Sequence, residues 1–336
     1  MAFMDREAAI GILDERDQRL VAALQCDGRL AVERAADVLG MGARTVRRRW
    51  SALRADGIVK VVTLPAHRDP SGVTLLRVKV LRGRLDAVTA ALAAREDIAF
   101  VDVSAAGDEI SAVALAGPGP RNRLVFEQLP RATAVTDVTA AAVLHVFRDA
   151  FDWRHDVLTP AERAALTPER PSAPEGEVDA TDRLLLDALA DDARAPAAAL
   201  AAATGLPDST VRRRVAALAG RGRLRTHVVV DARRLGLMVD ANLWMRVPPD
   251  ELDRAGRALA AHPAVHGALA TTGPANLHAA VWARNLEELY RFVSAEISGL
   301  GIQSVDTVLV GAAVKRPGAT GAGNRKARPP SGAGPW

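Results

Sequence analysis

Cysteine is nearly missing: Cys26 stands alone in 336 residues. One thiol excludes an intrachain disulfide framework, a Cys-rich zinc finger and a cysteine-ligated iron–sulfur site, and it points to a reducing cytoplasm. Aromatic residues are also scarce, six Phe, five Trp and one Tyr, so the cores must be built from Ala, Val and Leu. No apolar run reaches the roughly 20 residues that span a bilayer, and Asp5, Arg6 and Glu7 stand where a secretion signal needs an apolar stretch. A soluble, unexported protein with no membrane contact is expected. Charge of one sign is lacking too: the net is +4 from 44 basic and 40 acidic residues, so the total says nothing about nucleic acid and the placement of arginine must decide.

What is present is a duplication. An offset of 165 residues carries Asp14, Asp17, Leu20, Leu24 and Asp27 onto Asp179, Asp182, Leu185, Leu189 and Asp192 without a gap. The same register holds for Arg29 with Arg194, Gly40 with Gly205, Leu53 with Leu218 and Gly57 with Gly222. Within it, Thr45-Val46-Arg47-Arg48-Arg49 returns as Thr210-Val211-Arg212-Arg213-Arg214.

Each copy opens with Asp-x-x-Asp ahead of an apolar helix, the first Asp suited to cap it and the second to favour its positive end. A second helix, Val32 to Leu39, stops at Gly40, and a third runs from Ala43 to Arg54. Its apolar residues Val46, Trp50 and Leu53 make one stripe, leaving Arg44, Thr45, Arg47 and Arg48 outside it. The second copy has Val211, Val215 and Leu218 on the stripe and Ser209, Thr210, Arg212 and Arg213 off it. Arg49 and Arg214 fall at the stripe's edge, placed to reach a phosphate or to pair with a carboxylate. Helix, turn and arginine-rich helix is the layout of a helix-turn-helix reader of duplex DNA. A solvated arginine face is the alternative for one copy; its repetition at equivalent places argues for binding.

After each tri-helix the pattern reads β-α-β-β-α-β, a ferredoxin-like module. In the first copy the strands are Thr74 to Val80, Ile98 to Ala105, Ile110 to Ala116 and Ala134 to Val146, with helices at Leu85 to Ala94 and near Leu124. In the second they are Ala241 to Val247, Val265 to Thr271, Leu277 to Trp282 and Val305 to Val314, with helices at Glu251 to Ala261 and Leu286 to Glu296. The expected class is α+β, with helix-turn-helix domains at 10–60 and 178–226, ferredoxin-like domains at 61–147 and 227–316, a proline-rich linker at 148–177 holding a short helix at Ala161 to Leu166, and a disordered tail at 317–336 carrying Arg325, Lys326 and Arg328.

These residues resemble the Lrp/AsnC family of bacterial transcription factors, present twice. The stretch Leu13-Asp14-x-x-Asp17 through Asp27-Gly28-Arg29-Leu30 carries the likeness, with Val46 to Arg49 and Leu53-x-x-x-Gly57-Ile58-Val59, and in the second copy Gly205-Leu206, Thr210 to Arg214 and His262-Pro263-x-Val265. The resemblance implies that the tri-helices (winged-helix-like) bind DNA and that the ferredoxin-like modules pair and sense an amino acid or similar small metabolite. The effector would lie near Gly107, Asp108, Gly273 and Asn276, where ordinary β-turns are the competing reading. Departures are Gly42 and Pro207, where the family has a serine opening the recognition helix, and the reduced effector loops Gly107-Asp108-Glu109-Ile110 and Gly273-Pro274-Ala275-Asn276.

No Walker loop, dinucleotide fingerprint, nucleophile elbow or H-E-x-x-H occurs. His262 and His266 have helical metal spacing, but Pro263 breaks the helix that would use it; the Asp14/Asp17 pair is explained by capping. No catalytic residue, metal or cofactor is expected. Two alternatives stand beside the regulator. Sirohaem decarboxylases share this fold, with histidine and arginine around a porphyrin, for which Arg225, His227 and His278 are the candidates here. A DNA-architectural protein is the other. The expected partners are duplex DNA and a small effector, in a chain whose two sensor modules cover each other as a pseudo-dimer, with room for higher homo-oligomers.

Overall fold

The structure, a computed structural model, describes residues 11–64, 72–81, 83–115, 124, 128–129, 132–169, 171 and 175–316. The chain forms two compact units, each drawn from both copies of the repeat. The first takes the described residues of Met1–Arg68 and Arg154–Gly236, the second those of Asp69–Trp153 and Leu237–Trp336.

The first unit holds two tri-helices. In copy one they are α1 (Glu15–Cys26), α2 (Val32–Leu39) and α3 (Ala43–Ala55), followed by β1 (Val59–Leu64). Asp14 caps α1, its Oδ1 accepting from the Asp17 N–H at 2.8 Å, and Gly40 ends α2 at φ 64°, a conformation open to glycine. A short α5 (Pro160–Leu166), counted after α4 of the second unit, starts in a capping box between Thr159 and Glu162 and packs on α1 and α2. Copy two repeats the plan with α6 (Ala180–Leu189), α7 (Ala197–Thr204) and α8 (Asp208–Gly220), Asp179 capping α6 and Gly205 ending α7. Then comes β6 (Arg225–Val230).

β1 and β6 pair antiparallel, Val59 opposite Val230 and Leu64 opposite Arg225. The copies also exchange contacts. Arg29 donates to the Ala193 carbonyl, while Arg194 donates to those of Gly28 at 2.8 Å and Leu30 at 3.0 Å. At the offset of 165, Gly28 corresponds to Ala193 and Arg29 to Arg194, so the exchange is reciprocal and the tri-helices are related by an approximate twofold.

In the second unit, the first module has β2 (Val73–Val80), α4 (Leu85–Ala93), β3 (Ile98–Ser104), β4 (Glu109–Leu115) and β5 (Val135–Arg148). The helix expected near Leu124 and the tail arginines lie mostly or wholly outside the described residues. The second module has β7 (Val239–Arg246), α9 (Leu252–Ala261), β8 (Val265–Thr271), β9 (Leu277–Ala283), α10 (Leu286–Arg291), which runs on as a π-helical turn over Phe292–Glu296, and β10 (Ser304–Lys315). The strands close into a barrel of order β10-β3-β4-β2-β5-β8-β9-β7, because β10 pairs with β3 and β5 with β8. Closure leaves neither sheet an open edge.

Strand alternation sorts the side chains. Leu76, Val78, Ile110 and Ala112 pack toward α4, and Ala241, Leu243, Leu277 and Ala279 toward α9. The other faces meet inside, where Leu75, Val143 and Trp244 form a small apolar core.

Candidate nucleic-acid interface and sensor seam

The third helix of each tri-helix is fixed by its apolar stripe. Val46, Trp50 and Leu53 are buried on α3, and Val211, Val215 and Leu218 on α8. That leaves Arg44, Arg47 and Arg48 exposed on α3 and Ser209, Arg212 and Arg213 exposed on α8, with Thr45 and Thr210 half-buried beside them. Arg47 pairs with Glu33 at 3.1 Å and Arg212 with Asp208 at 2.6 Å, both pairs solvent-facing and therefore weakly held. Neither helix start carries a side-chain cap, as Gly42 and Pro207 require.

Arg49 and Arg214 turn the other way. Arg49 bridges Asp14 at 2.7 Å and Asp17 at 2.9 Å. Arg214 bridges Asp179 and, at 3.0 Å, the buried Asp182, which Arg221 also reaches at 3.2 Å. The backbone N–H of Asp17 and then the Arg49 guanidinium hold the Asp14 carboxyl below the usual range; Asp182 N–H and Arg214 do the same for Asp179. Of the carboxylate and phosphate roles open to these edge arginines, the geometry supplies the carboxylate.

Gly107 and Gly273 take φ of 72° and 96°, and a Cβ on either would meet open space. Asp108 is exposed and accepts from Ser104 Oγ at 3.0 Å. Asn276 is engaged at both ends of its amide: Oδ1 accepts from Val247 N–H at 2.9 Å and Nδ2 donates to Val247 O at 2.8 Å. It braces a loop.

Sequence reasoning missed a polar seam inside the barrel. Arg77 grips Glu109 with two bonds of 2.7 and 2.9 Å and reaches Asp306 of the other module at 2.7 Å, its guanidinium 5.3 Å from the Trp244 ring centre. His266 stacks on Trp282 at 3.9 Å and faces Asp240 at 3.4 Å, while Arg316 links Asp240 to Asp102 across the modules. Burial raises the Asp102 carboxyl against the pull of Arg316. His278 bonds Asn242 at 3.1 Å and lies 4.6 Å from Trp244; burial, then the charges of His266 and Arg77, push it down to about 3. The Nδ1 of His278 and the Nε1–H of Trp244 are both buried and have no hydrogen-bond partner among the described residues. The only sequence signal was polar residues on alternate strand positions, such as Asp240 and Asn242. Arg225 and His227 lie on β6 of the first unit and His278 on β9 of the second. Among the described residues no group of three or more His, Cys, Asp or Glu could hold a metal, and no helix is long and apolar enough to cross a membrane.

Residues 13–54 and 178–219 match the AsnC-type helix-turn-helix domain, and residues 241–320 match the Lrp/AsnC ligand binding domain. The chain is similar to the HTH-type transcriptional regulator LrpA of Pyrococcus abyssi, 26% identical over 135 residues, which covers 40% of this chain and 96% of the relative. It is similar also to the HTH-type transcriptional regulator FL11 of Pyrococcus horikoshii, 25% identical over 134 residues, covering 40% and 89%. Among solved structures, the siroheme decarboxylase NirDL shares its fold over 89% of this chain and 92% of that one, with a TM-score of 0.56 at 17% identity. One sequence thus carries two AsnC-type helix-turn-helix domains and an Lrp/AsnC ligand binding domain.

Proposed function

We propose that the protein is a transcriptional regulator that reads duplex DNA with α3 and α8, both helices lying in major-groove contacts. The observation that carries this is the split within each arginine triplet. Arg49 and Arg214 are tied to acids that cap the first helix, so the helix is braced from behind, while Arg47, Arg48, Arg212 and Arg213 project from its outer face. A solvated face needs no such brace. Arg44, Thr45, Ser209 and Thr210 flank the reading positions and suit phosphate contacts.

The regulator responds to a small polar metabolite, a reading supported by the matched ligand-binding domain. Of the two expected turns, Gly107-Asp108 offers an exposed carboxylate to a ligand's donor. At Gly273 to Asn276 the backbone serves, since the Asn276 amide is occupied. The chain works in the cytoplasm without a cofactor, and any further self-association builds on the intrachain pair of modules.

Footprinting on DNA selected from a random pool tests the proposal. Replacing Arg47, Arg48, Arg212 and Arg213 together by Ala should abolish the footprint, and unchanged binding would sink it. One observation favours a second reading, a decarboxylase acting on sirohaem: the likeness to NirDL runs through nearly the whole chain, beyond either copy alone. A tight porphyrin complex seen by absorbance, lost in His278→Ala, would replace the regulator by that enzyme.

A further inference from the structure

The approximate twofold of the first unit is broken on the buried side of the third helices. In copy one, Trp50 of α3 is buried, its Nε1–H donating to the Leu20 carbonyl at 3.4 Å, and Arg194 from the other copy lies 5.0 Å from its ring centre. One turn on, Arg54 pairs with Asp192 at 2.8 Å. At the 165-residue offset, Trp50 becomes Val215 and Arg54 becomes Ala219, while the partners Arg29 and Asp27 are kept. Two large side chains are thus replaced by small ones beneath an unchanged arginine. A cavity of about 370 Å³ opens there, with Val211, Val215, Ala219 and Leu224 on its apolar wall and Asp27, Arg29 and Glu169 among its charged groups.

We propose that this cavity is a binding site for a small planar aromatic molecule with a polar N–H or O–H edge, of the size of indole. The mate site shows what fits: an aromatic face under a guanidinium, with one donor at the ring edge. In copy two the ligand's face lies under Arg29 and its donor turns to the carboxylates of Asp27 and Glu169, while its rings lie over Val215 and Ala219 in the space that Trp50 and Arg54 fill in copy one. The volume is in the range of small-molecule pockets and is lined on one side by apolar groups, on the other by a few polar ones. Every residue lining the site belongs to the helical unit, and the proposal does not depend on the chain being a DNA reader.

Calorimetric titration of the full chain with indole, and with cyclohexanol as a non-aromatic probe, reads this directly. Indole should bind at least about tenfold more tightly than cyclohexanol, and binding should be lost in Val215→Trp, which restores the first copy's filling. In methyl-labelled protein, indole should shift the signals of Val211, Val215 and Leu224. Should Val215→Trp fail to fold, Ala219→Arg fills the same space from the surface side and the methyl shifts still report the location. No heat with indole up to its solubility, equal affinity for cyclohexanol, shifts confined to other methyls, or full indole binding by a folded filled variant would each overturn the proposal.

Discussion

At the scale of single residues, the arginine triplets were legible as outward-facing from periodicity alone, but the third arginine was not, because its partner is 35 residues away in both copies. The structure separates the roles, and stability should follow. Arg49→Ala and Arg214→Ala should lower the thermal midpoint, whereas Arg47→Ala and Arg213→Ala should leave it unchanged and weaken DNA binding by about 1–3 kcal/mol where they read a base. Asp182→Ala removes a buried acceptor of two charged hydrogen bonds and should cost about 2 kcal/mol by denaturant titration. His278 gives the pH dependence. Its folded pKa, about 3, lies below the ordinary 6.5, so between these values the unfolded chain binds the extra proton. Stability conferred by keeping it neutral is complete above about pH 6.5 and is lost as pH falls toward 3. Between pH 7 and pH 5 wild type should therefore lose about 2 kcal/mol more than His278→Gln, whose side chain has no proton to gain. Parallel stability curves for the two would contradict the burial of a neutral imidazole.

At the scale of elements, capping aspartates, turn glycines and strand alternation announced most of the helices and strands, since each signal is local. The first strand was invisible for the opposite reason. Val59 to Leu64 is a short apolar run that reads as the tail of a tri-helix, and its partner β6 begins 161 residues later, so only pairing defines it. Gly28 reports how closely the copies meet there: a Cβ would lie 2.5 Å from Thr226 Oγ1 and 2.7 Å from Val61 Cγ1, and the glycine N–H already donates to that hydroxyl at 3.2 Å. The equivalent position in the other copy is Ala193, fully buried. Gly28→Ala should cost about 1–3 kcal/mol by overpacking, against less than about 1 kcal/mol for Gly42→Ala, which meets no clash and only exchanges a good N-cap residue for a poor one. Equal stability of Gly28→Ala and wild type in urea would mean that β1 and β6 are not held this closely.

At the scale of the molecule, duplication allows one chain to do what two identical chains would otherwise do, and it allows the halves to diverge. Both consequences are visible: the barrel closes within the chain through β10–β3 and β5–β8, and the recognition helices begin differently, Met41-Gly42-Ala43-Arg44 against Leu206-Pro207-Asp208-Ser209. The shared Thr-Val-Arg-Arg-Arg favours related half-sites. At the start of α8, however, Asp208 replaces an alanine and holds Arg212 at 2.6 Å, and Ser209 replaces Arg44. A carboxylate at that place repels phosphate or accepts from a cytosine amino group. The second half-site should thus be bound more weakly and should differ in sequence at the positions facing the helix start. DNA selected from a random pool should converge on an imperfect palindrome, and Asp208→Ala with Ser209→Arg should shift the selection toward symmetry and tighten the weaker half. A perfectly symmetric site for the wild-type chain would show that the two helices do not read independently, and that the bound species pairs equivalent helices from two copies of the protein.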